Sequence, residues 1–431
     1  MSQGKAARVL EGLKSGHLRW PILLMLFLAT VINYLDRQVF SVLAPTLSKA
    51  LSLNDAQYAW IITAFNAGTI LGLLFAGPFI DRMGARIGFA LAILIWSIGG
   101  GFTALTASVT ALAVFRFILG IGESGNWPAA SKAVAEWFPA KERALAMGFF
   151  NGGVSIGAIF AVPLVFLLVR IFGSWRWAFL FTASLAIPWL FFWLKLYYPA
   201  ARHPRISREE RELIERDRIQ SAGTHIHGVL RKKPFWGILL ARMITSPVWF
   251  FISYWIFKYF HTEFGFNLQQ MAAFAWIPFV FADIGNIIGG YGSGKLIARG
   301  MAPDKARKMM MAAGAAMMAT SVLTAYTHHA GVAVVLISWL TFAWGIWVSN
   351  MLGLVSDSFP SQEIGTVMSW TGLGQYAGAS VFTLFTGYAL KWGAGYAPVF
   401  LAAGALPLIG LIFTFTLNRE TKTKSESVLQ S

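Results

Sequence analysis

Cysteine is absent from this 431-residue chain, and acidic and basic residues together make up only 13% of it. The first absence excludes disulfides and thiolate-held metal sites. The second sets the chain apart from soluble proteins, in which about a quarter of residues are charged. Catalytic vocabulary is missing too. The seven histidines form no His-Glu-x-x-His pattern, and no phosphate-binding loop occurs. The glycine-rich "GLGQYAG" lies inside an apolar run, where glycines serve helix packing. No enzyme chemistry, cofactor or metal is therefore expected. There is also no Asn-x-Ser/Thr acceptor, which is compatible with a bacterial inner membrane.

What the chain has in abundance is apolar sequence. Hydrophobic residues are 56% of it and the mean hydropathy is +0.60. Apolar segments of about 20 residues recur from Trp20 onward, each long enough to cross about 30 Å of hydrocarbon. We read twelve spans, at 20–44, 57–77, 87–107, 110–133, 144–169, 178–198, 236–260, 271–297, 308–326, 331–356, 363–389 and 396–417. The fold class expected is an all-α polytopic membrane protein of two six-helix bundles, over 20–198 and 236–417. A middle loop over 199–235 joins them, and tails over 1–19 and 418–431 flank them. The first run follows basic residues as a signal peptide does, but it is too long for one and holds Asp36 and Arg37, so a retained first helix is expected.

The net charge of +16 does not indicate nucleic acid. Of the 35 lysines and arginines, 25 fall in one set of loops and both tails, and the opposite loops carry only Lys49, Arg170, Arg176 and Lys391. By the positive-inside rule the tails and the middle loop are cytoplasmic. Within that loop "ISREERELIERDRIQ" has the charge spacing of a surface helix. The halves also echo one another. "FPAKERA" at Phe138 returns as "FPSQEIG" at Phe359, an offset of 221 that takes Arg37 to Lys258 and Tyr34 to Trp255. Parallel repeats of this kind place a transporter's site at mid-membrane between them.

The strongest local pattern is "GPFIDRMGAR", between the second and third spans. Gly77 and Gly84 allow close approach and a tight turn, and Asp81, Arg82 and Arg86 supply fixed charges for a cytoplasmic latch. In order and position it resembles the loop signature of the major facilitator superfamily. That resemblance implies alternating access, with Asp81 interacting across the two halves. The corresponding "GGYGSGKLIARG" keeps glycines and bases but lacks the acid.

Asp36, Arg37, Arg116 and Glu123 stand deep inside apolar runs, at about 2.5–3.5 kcal/mol each if left at mid-membrane. Asp36 and Arg37 lie on the first span; Arg116 and Glu123, seven apart and so on nearly one helical face, lie on the fourth. They should face the interior, as a site or as a buried ion pair that fixes helix register. Pro128 should bend the fourth span below them. Two guanidiniums suit a carboxylate and two carboxylates suit proton coupling, the arrangement of an organic-anion/proton symporter.

"NYLDRQ", "RFILGIGESGNWPA", "EWFPAKERALAMGFFNGGVSIGA" and "SPVWFFISYWIFKYF" carry a closer resemblance, to the anion:cation symporter branch and its hexuronate transporters. It implies that Asp36 and Glu123 are the protonatable pair, that Arg37 and Arg116 serve them or the substrate carboxylate, and that Tyr34 lines the site. Galactonate transporters of the branch carry Gln where this chain has Val154. Asn151 and Ser155 remain as polar contacts there, which favours hexuronate over galactonate. Another organic anion (galactonate, glucarate or an aromatic acid) and an organic-compound/proton antiporter are the alternatives.

Sugar hydroxyls are expected to meet the second half, through Trp249, Tyr254, Trp370, Thr371 and Gln375, with Asn286, Trp344, Trp347, Asn350 and Ser369 as further candidates. Arg242 and Lys258, near the ends of the seventh span, read as snorkelling anchors. The expected partners are a small carboxylate, protons and the bilayer, and the chain is expected to act as a monomer.

Overall fold

The computed structural model describes residues 17–216, 226–359 and 361–417. The two tails expected at the ends, and the last turn of the expected loop helix, lie largely or wholly outside those residues. All twelve segments read as spans are helical. Among the described residues, nine helices are long and apolar enough to cross a membrane. Spans two and three run together as one 49-residue helix, Asp55–Thr103, broken at Gly84, where φ is +74° and ψ is 157°. Only glycine takes that conformation cheaply, so the signature's last glycine makes the turn. Span four arrives as two shorter helices, Val109–Glu123 and Asn126–Trp137. Pro128 lacks the N–H that would bond the Ser124 carbonyl, and the helix breaks there, at Ser124–Gly125.

The chain forms two compact units, the first of residues up to 216 with 253–276 and the second of 226–252 with 277–417. The Lys233–Phe264 helix is divided between them at Ser253. In lipid, helices gain from close backbone approach rather than from hydrophobic burial, and glycine permits it. In the first unit a Cβ on Gly68 or Gly120 would collide with the carbonyls of Phe117 and Phe65. In the second, Gly285 and Gly345 stand in the same relation to Phe342 and Ala282. A contact with its roles exchanged accompanies them: Gly122 packs on Trp96 in the first unit, and Gly314 packs on Trp347 in the second. Gly157 against Val31 is matched by Gly378 against Met243. The Met243 carbonyl is one that Pro247, four residues on, leaves without a helical N–H.

These pairs fix the register of the repeat by geometry. The fifth span shifts by 221 (157 to 378), as its FPxxE motif indicates, but the first shifts by 212 (31 to 243). Arg37 therefore corresponds to Trp249, and Lys258 to neither charge of the first span. The FPxxE motif itself has one mechanical use in both halves. Glu142 pairs with Arg19 at 3.4 Å and Glu363 with Lys232 at 2.6 Å, each tying the start of a fifth helix to the start of a first.

The middle loop helix, Arg208–Arg216, is more than a tether. Glu210 is 1% exposed and accepts from the backbone N–H groups of Leu18 and Arg19 at 3.0 and 3.1 Å. Those are two of the four donors a helix N-terminus leaves open, and a carboxylate there also opposes the positive end of the helix dipole.

Candidate functional site

The first unit gathers the four in-span charges. Glu123 ends the Val109–Glu123 helix, where the helix dipole disfavours an anion. Arg37 compensates it from the Arg19–Val42 helix: its Nη2 and Nε donate to Glu123 Oε2 at 2.6 and 3.1 Å. Both side chains are almost wholly buried. The same-helix pair suggested by the seven-residue spacing does not form as an ion pair, because Arg116 turns to aromatic faces instead. Its guanidinium lies 4.4 Å from the Phe40 ring centre and 5.3 Å from that of Phe65. Arg37 lies over Phe65 too, at 5.1 Å, and over Tyr34 at 4.8 Å. Phe65 thus meets two cations, whose attraction to a ring is strongest where water is excluded.

Asp36 completes the group. It is 2% exposed, within Coulombic reach of Glu123 and Arg116, and its carboxylate lies beside the Thr182 hydroxyl. Apart from that hydroxyl, no hydrogen-bond donor reaches either oxygen among the described residues. Glu123 Oε1, Gln38 Oε1 and Asn66 Oδ1 lack a donor in the same way, and Arg116 Nε and Nη1, Asn33 Nδ2 and Asn66 Nδ2 lack an acceptor. Buried polar atoms are ordinarily satisfied. These atoms, on three helices of one unit, are free to hydrogen-bond a polar guest. Carboxylate oxygens can take protons, and arginine N–H groups can only donate.

The other predicted residues fall as follows. On the Ala140–Phe172 helix Asn151 is exposed and Ser155 half-buried. Tyr254 is buried in the first unit, its carbonyl accepting from Tyr58 at 2.7 Å. Trp249 stacks on Trp344 in the second unit, with centroids 4.5 Å apart and planes at 16°. Trp370 is exposed, whereas Thr371 and Gln375 accept from Arg242. In the loop signature Asp81 pairs with Lys132 of its own unit at 3.0 Å. Arg86 donates to the Leu194 carbonyl at 2.6 Å and sits over the Tyr198 ring. Arg82 is exposed, and Gly77 has open space around it.

Two residues read as anchors behave otherwise. Lys258 binds Asp55 at 2.6 Å, and Arg242 is tied into its own unit rather than reaching outward. The second half's missing acid is found on another helix. Arg307 pairs with Asp357 at 3.2 Å and donates to Ser293 at 2.8 Å. Spans two, four, eight and ten align Asp357 with Lys132, so this position carries an ion pair in both halves with the charge reversed, its partner in the second half coming from the helix of span nine. Asp283, half-buried in the Ile277–Ala298 helix, is an in-span acid that the sequence reading passed over. A charge within an apolar run was the available signal for it and for Arg242. No group of His, Asp or Glu able to hold a metal occurs among the described residues.

Comparison with known proteins agrees with this architecture. The chain is 35% identical over 412 residues to the hexuronate transporter of Escherichia coli, covering 93% of this chain and 94% of that one. It is 39% identical over 280 residues to the galacturonate transporter of Dickeya chrysanthemi, covering 64% of this chain and 81% of the relative. Among solved structures, the inward-open E. coli xylose transporter superposes with a TM-score of 0.75 at 16% identity, covering 96% of this chain and 99% of that one. An inward-facing bacterial homologue of the human lysosomal transporter Spinster gives 0.73 at 20% identity, with 92% and 96% covered. The family model described as Major Facilitator Superfamily matches residues 26–383. The chain belongs to that superfamily, a family of transporters.

Proposed function

We propose that the protein imports a hexuronate, such as galacturonate or glucuronate, together with one or more protons by alternating access. The observation that carries this reading is the Arg37–Glu123 ion pair with Asp36 and Arg116 beside it. A substrate carboxylate that draws Arg37 or Arg116 onto itself removes the charge holding an acid ionised. The freed acid, desolvated in the interior, then favours its protonated form. Anion and proton thus enter together. The hexuronate and galacturonate relatives support the sugar-acid class. Relatives named for D-galactonate and galactarate/D-glucarate, at 26% and 27% identity, keep those anions as the second reading.

In this reading Tyr34, Asn151, Ser155, Trp249, Tyr254, Trp370, Thr371 and Gln375 contact the sugar. Gly77, Asp81, Arg82, Gly84 and Arg86 form the cytoplasmic latch, with Asp81 exchanging Lys132 for a partner in the other half during the cycle. Twelve spans in two six-helix bundles, cytoplasmic termini, a bacterial inner membrane and a monomer complete it. The charge distribution of the loops supports the orientation.

The test is uptake of labelled galacturonate into proteoliposomes under an inward proton gradient. Concentrative uptake is expected to persist without sodium and to be competed by glucuronate but not by uncharged galactose. Uptake of galactonate or glucarate with none of galacturonate would replace the substrate. Uptake that required sodium would replace the coupling ion.

A further inference from the structure

We propose that Arg242, held in place by Thr371 and Gln375, is a carboxylate-binding group of the second unit, a third guanidinium for the sugar acid. This rests on the reading of the protein as a sugar-acid transporter.

Arg242 is the tenth residue of the Lys233–Phe264 helix, about 14 Å from its start at 1.5 Å per residue. Its side chain does not run back to that end. Nη1 donates to Thr371 Oγ1 at 2.8 Å and Nη2 donates to Gln375 Oε1, both well inside the Ser361–Lys391 helix. The nearest other acceptor is the Met368 sulfur at 3.7 Å. Every partner is neutral. Elsewhere in the second unit Lys232, Arg307 and Lys308 each stand against an acid, Glu363, Asp357 and Asp304 respectively. Arg242 has no acid within ion-pair distance among the described residues. Arginine keeps its charge, so Arg242 carries a fixed positive charge held by neutral partners alone.

The partners also decide what kind of guest fits. The Thr371 hydroxyl gives its proton to the Val367 carbonyl at 2.7 Å, so towards Arg242 it can only accept. Gln375 turns its oxygen to the guanidinium, which leaves its amide N–H groups for a ligand. The free edge of the cluster is therefore made of donors beside a cation, which favours an anion over an uncharged sugar. Seven residues along the same helix, two turns on and on nearly the same face, stands Trp249, stacked on Trp344. Ser246 lies between them, buried. A cation and an aromatic platform on one stripe, with amide donors beside the cation from the Ser361–Lys391 helix, match a pyranose acid, whose ring faces are apolar and whose rim and carboxylate are polar.

The repeat register shows that this is an addition and not an echo. Arg242 aligns with Thr30, while the positions aligned with Arg37 and Arg116 are Trp249 and Thr341. The second unit thus lacks both guanidiniums of the first and places its own elsewhere.

The experiment is equilibrium binding of galacturonate and of its uncharged methyl ester to the full chain in nanodiscs, read by tryptophan fluorescence. Arg242→Met is expected to weaken galacturonate binding by about tenfold or more and to shrink wild type's preference for the acid over the ester by the same factor. Arg242→Lys, which keeps the charge without the fork, should fall between. A variant that loses both ligands equally, or neither, overturns the proposal and leaves Arg242 a link between helices. If Arg242→Met does not fold, Arg242→Gln is measured at matched thermal stability against the same two outcomes. Wild type that binds galactonate or galactarate but no hexuronate would remove the substrate reading alone. The Arg242 comparison, made on that anion, then decides the site. Wild type that binds no carboxylate overturns both.

Discussion

Glu123→Gln is expected to abolish accumulation of sugar acid under a proton gradient while exchange of substrate across equal pH continues. The substitution is nearly isosteric, and the amide oxygen can still accept from Arg37, so the Val109–Glu123 and Arg19–Val42 helices keep their contact. What is lost is the charge. An amide neither balances Arg37 nor takes and releases a proton. The interaction exchanged is a hydrogen bond between two buried ions, of order 1.5–3 kcal/mol, or about 10–150-fold in any rate that depends on it. Exchange needs no net proton movement and should survive, since the neutral amide resembles the protonated acid. The measurement is uptake of labelled galacturonate into proteoliposomes, with and without the gradient. Concentrative uptake equal to wild type would remove Glu123 from the coupling.

Gly120→Val is expected to have the largest effect on the fold itself. A Cβ at Gly120 would overlap the Phe65 carbonyl and lie 2.9 and 3.0 Å from Thr69 N and Oγ1. The neighbours on Phe65 and Thr69 are backbone or bonded to it, as the Thr69 hydroxyl is to the Phe65 carbonyl, so none can swing aside. Overpacking of this kind costs about 1–3 kcal/mol or more, with the helices forced apart. The residue displaced is Phe65, whose ring meets both Arg37 and Arg116. Stability and transport should therefore fall together, the first as a lowered midpoint of thermal unfolding in detergent. Gly148→Val is the control: that glycine is exposed, with nothing within 4 Å of a Cβ. A Gly120→Val protein as stable as the Gly148→Val one would show that the close approach does not hold the first unit together.

Much of the proposed site is legible in the sequence because charge in an apolar run is conspicuous. Asp36, Arg37, Arg116 and Glu123 announce themselves by what they cost in lipid. Their pairing was not legible. Hydropathy and helical spacing put Arg116 and Glu123 on one face, but which side chains meet depends on how far each helix is rotated towards its neighbours. Here that rotation is set by glycine contacts, Gly68 and Gly120 above all. The same gap explains Arg242. Its position near a span end reads as an anchor, and only the partners on another helix show that it turns inward. The repeat was visible in FPxxE, which lies on the fifth spans and shares their offset. Its extension to the first spans failed because loops of different length intervene, so each helix carries its own shift. Arg307 with Asp357 was hidden for a further reason: a search for the signature's acid at its own position cannot find an acid moved to the facing helix.

The central claim is that sugar acid and proton cross together through the charges of the first unit. It is tested most directly by trapping a pH-sensitive dye in proteoliposomes and imposing an inward galacturonate gradient with no initial pH difference. The account predicts that the lumen acidifies as galacturonate enters, at a rate that follows its uptake, and that uncharged galactose produces no change. Galacturonate entering at the full rate while the lumen pH stays constant would contradict it.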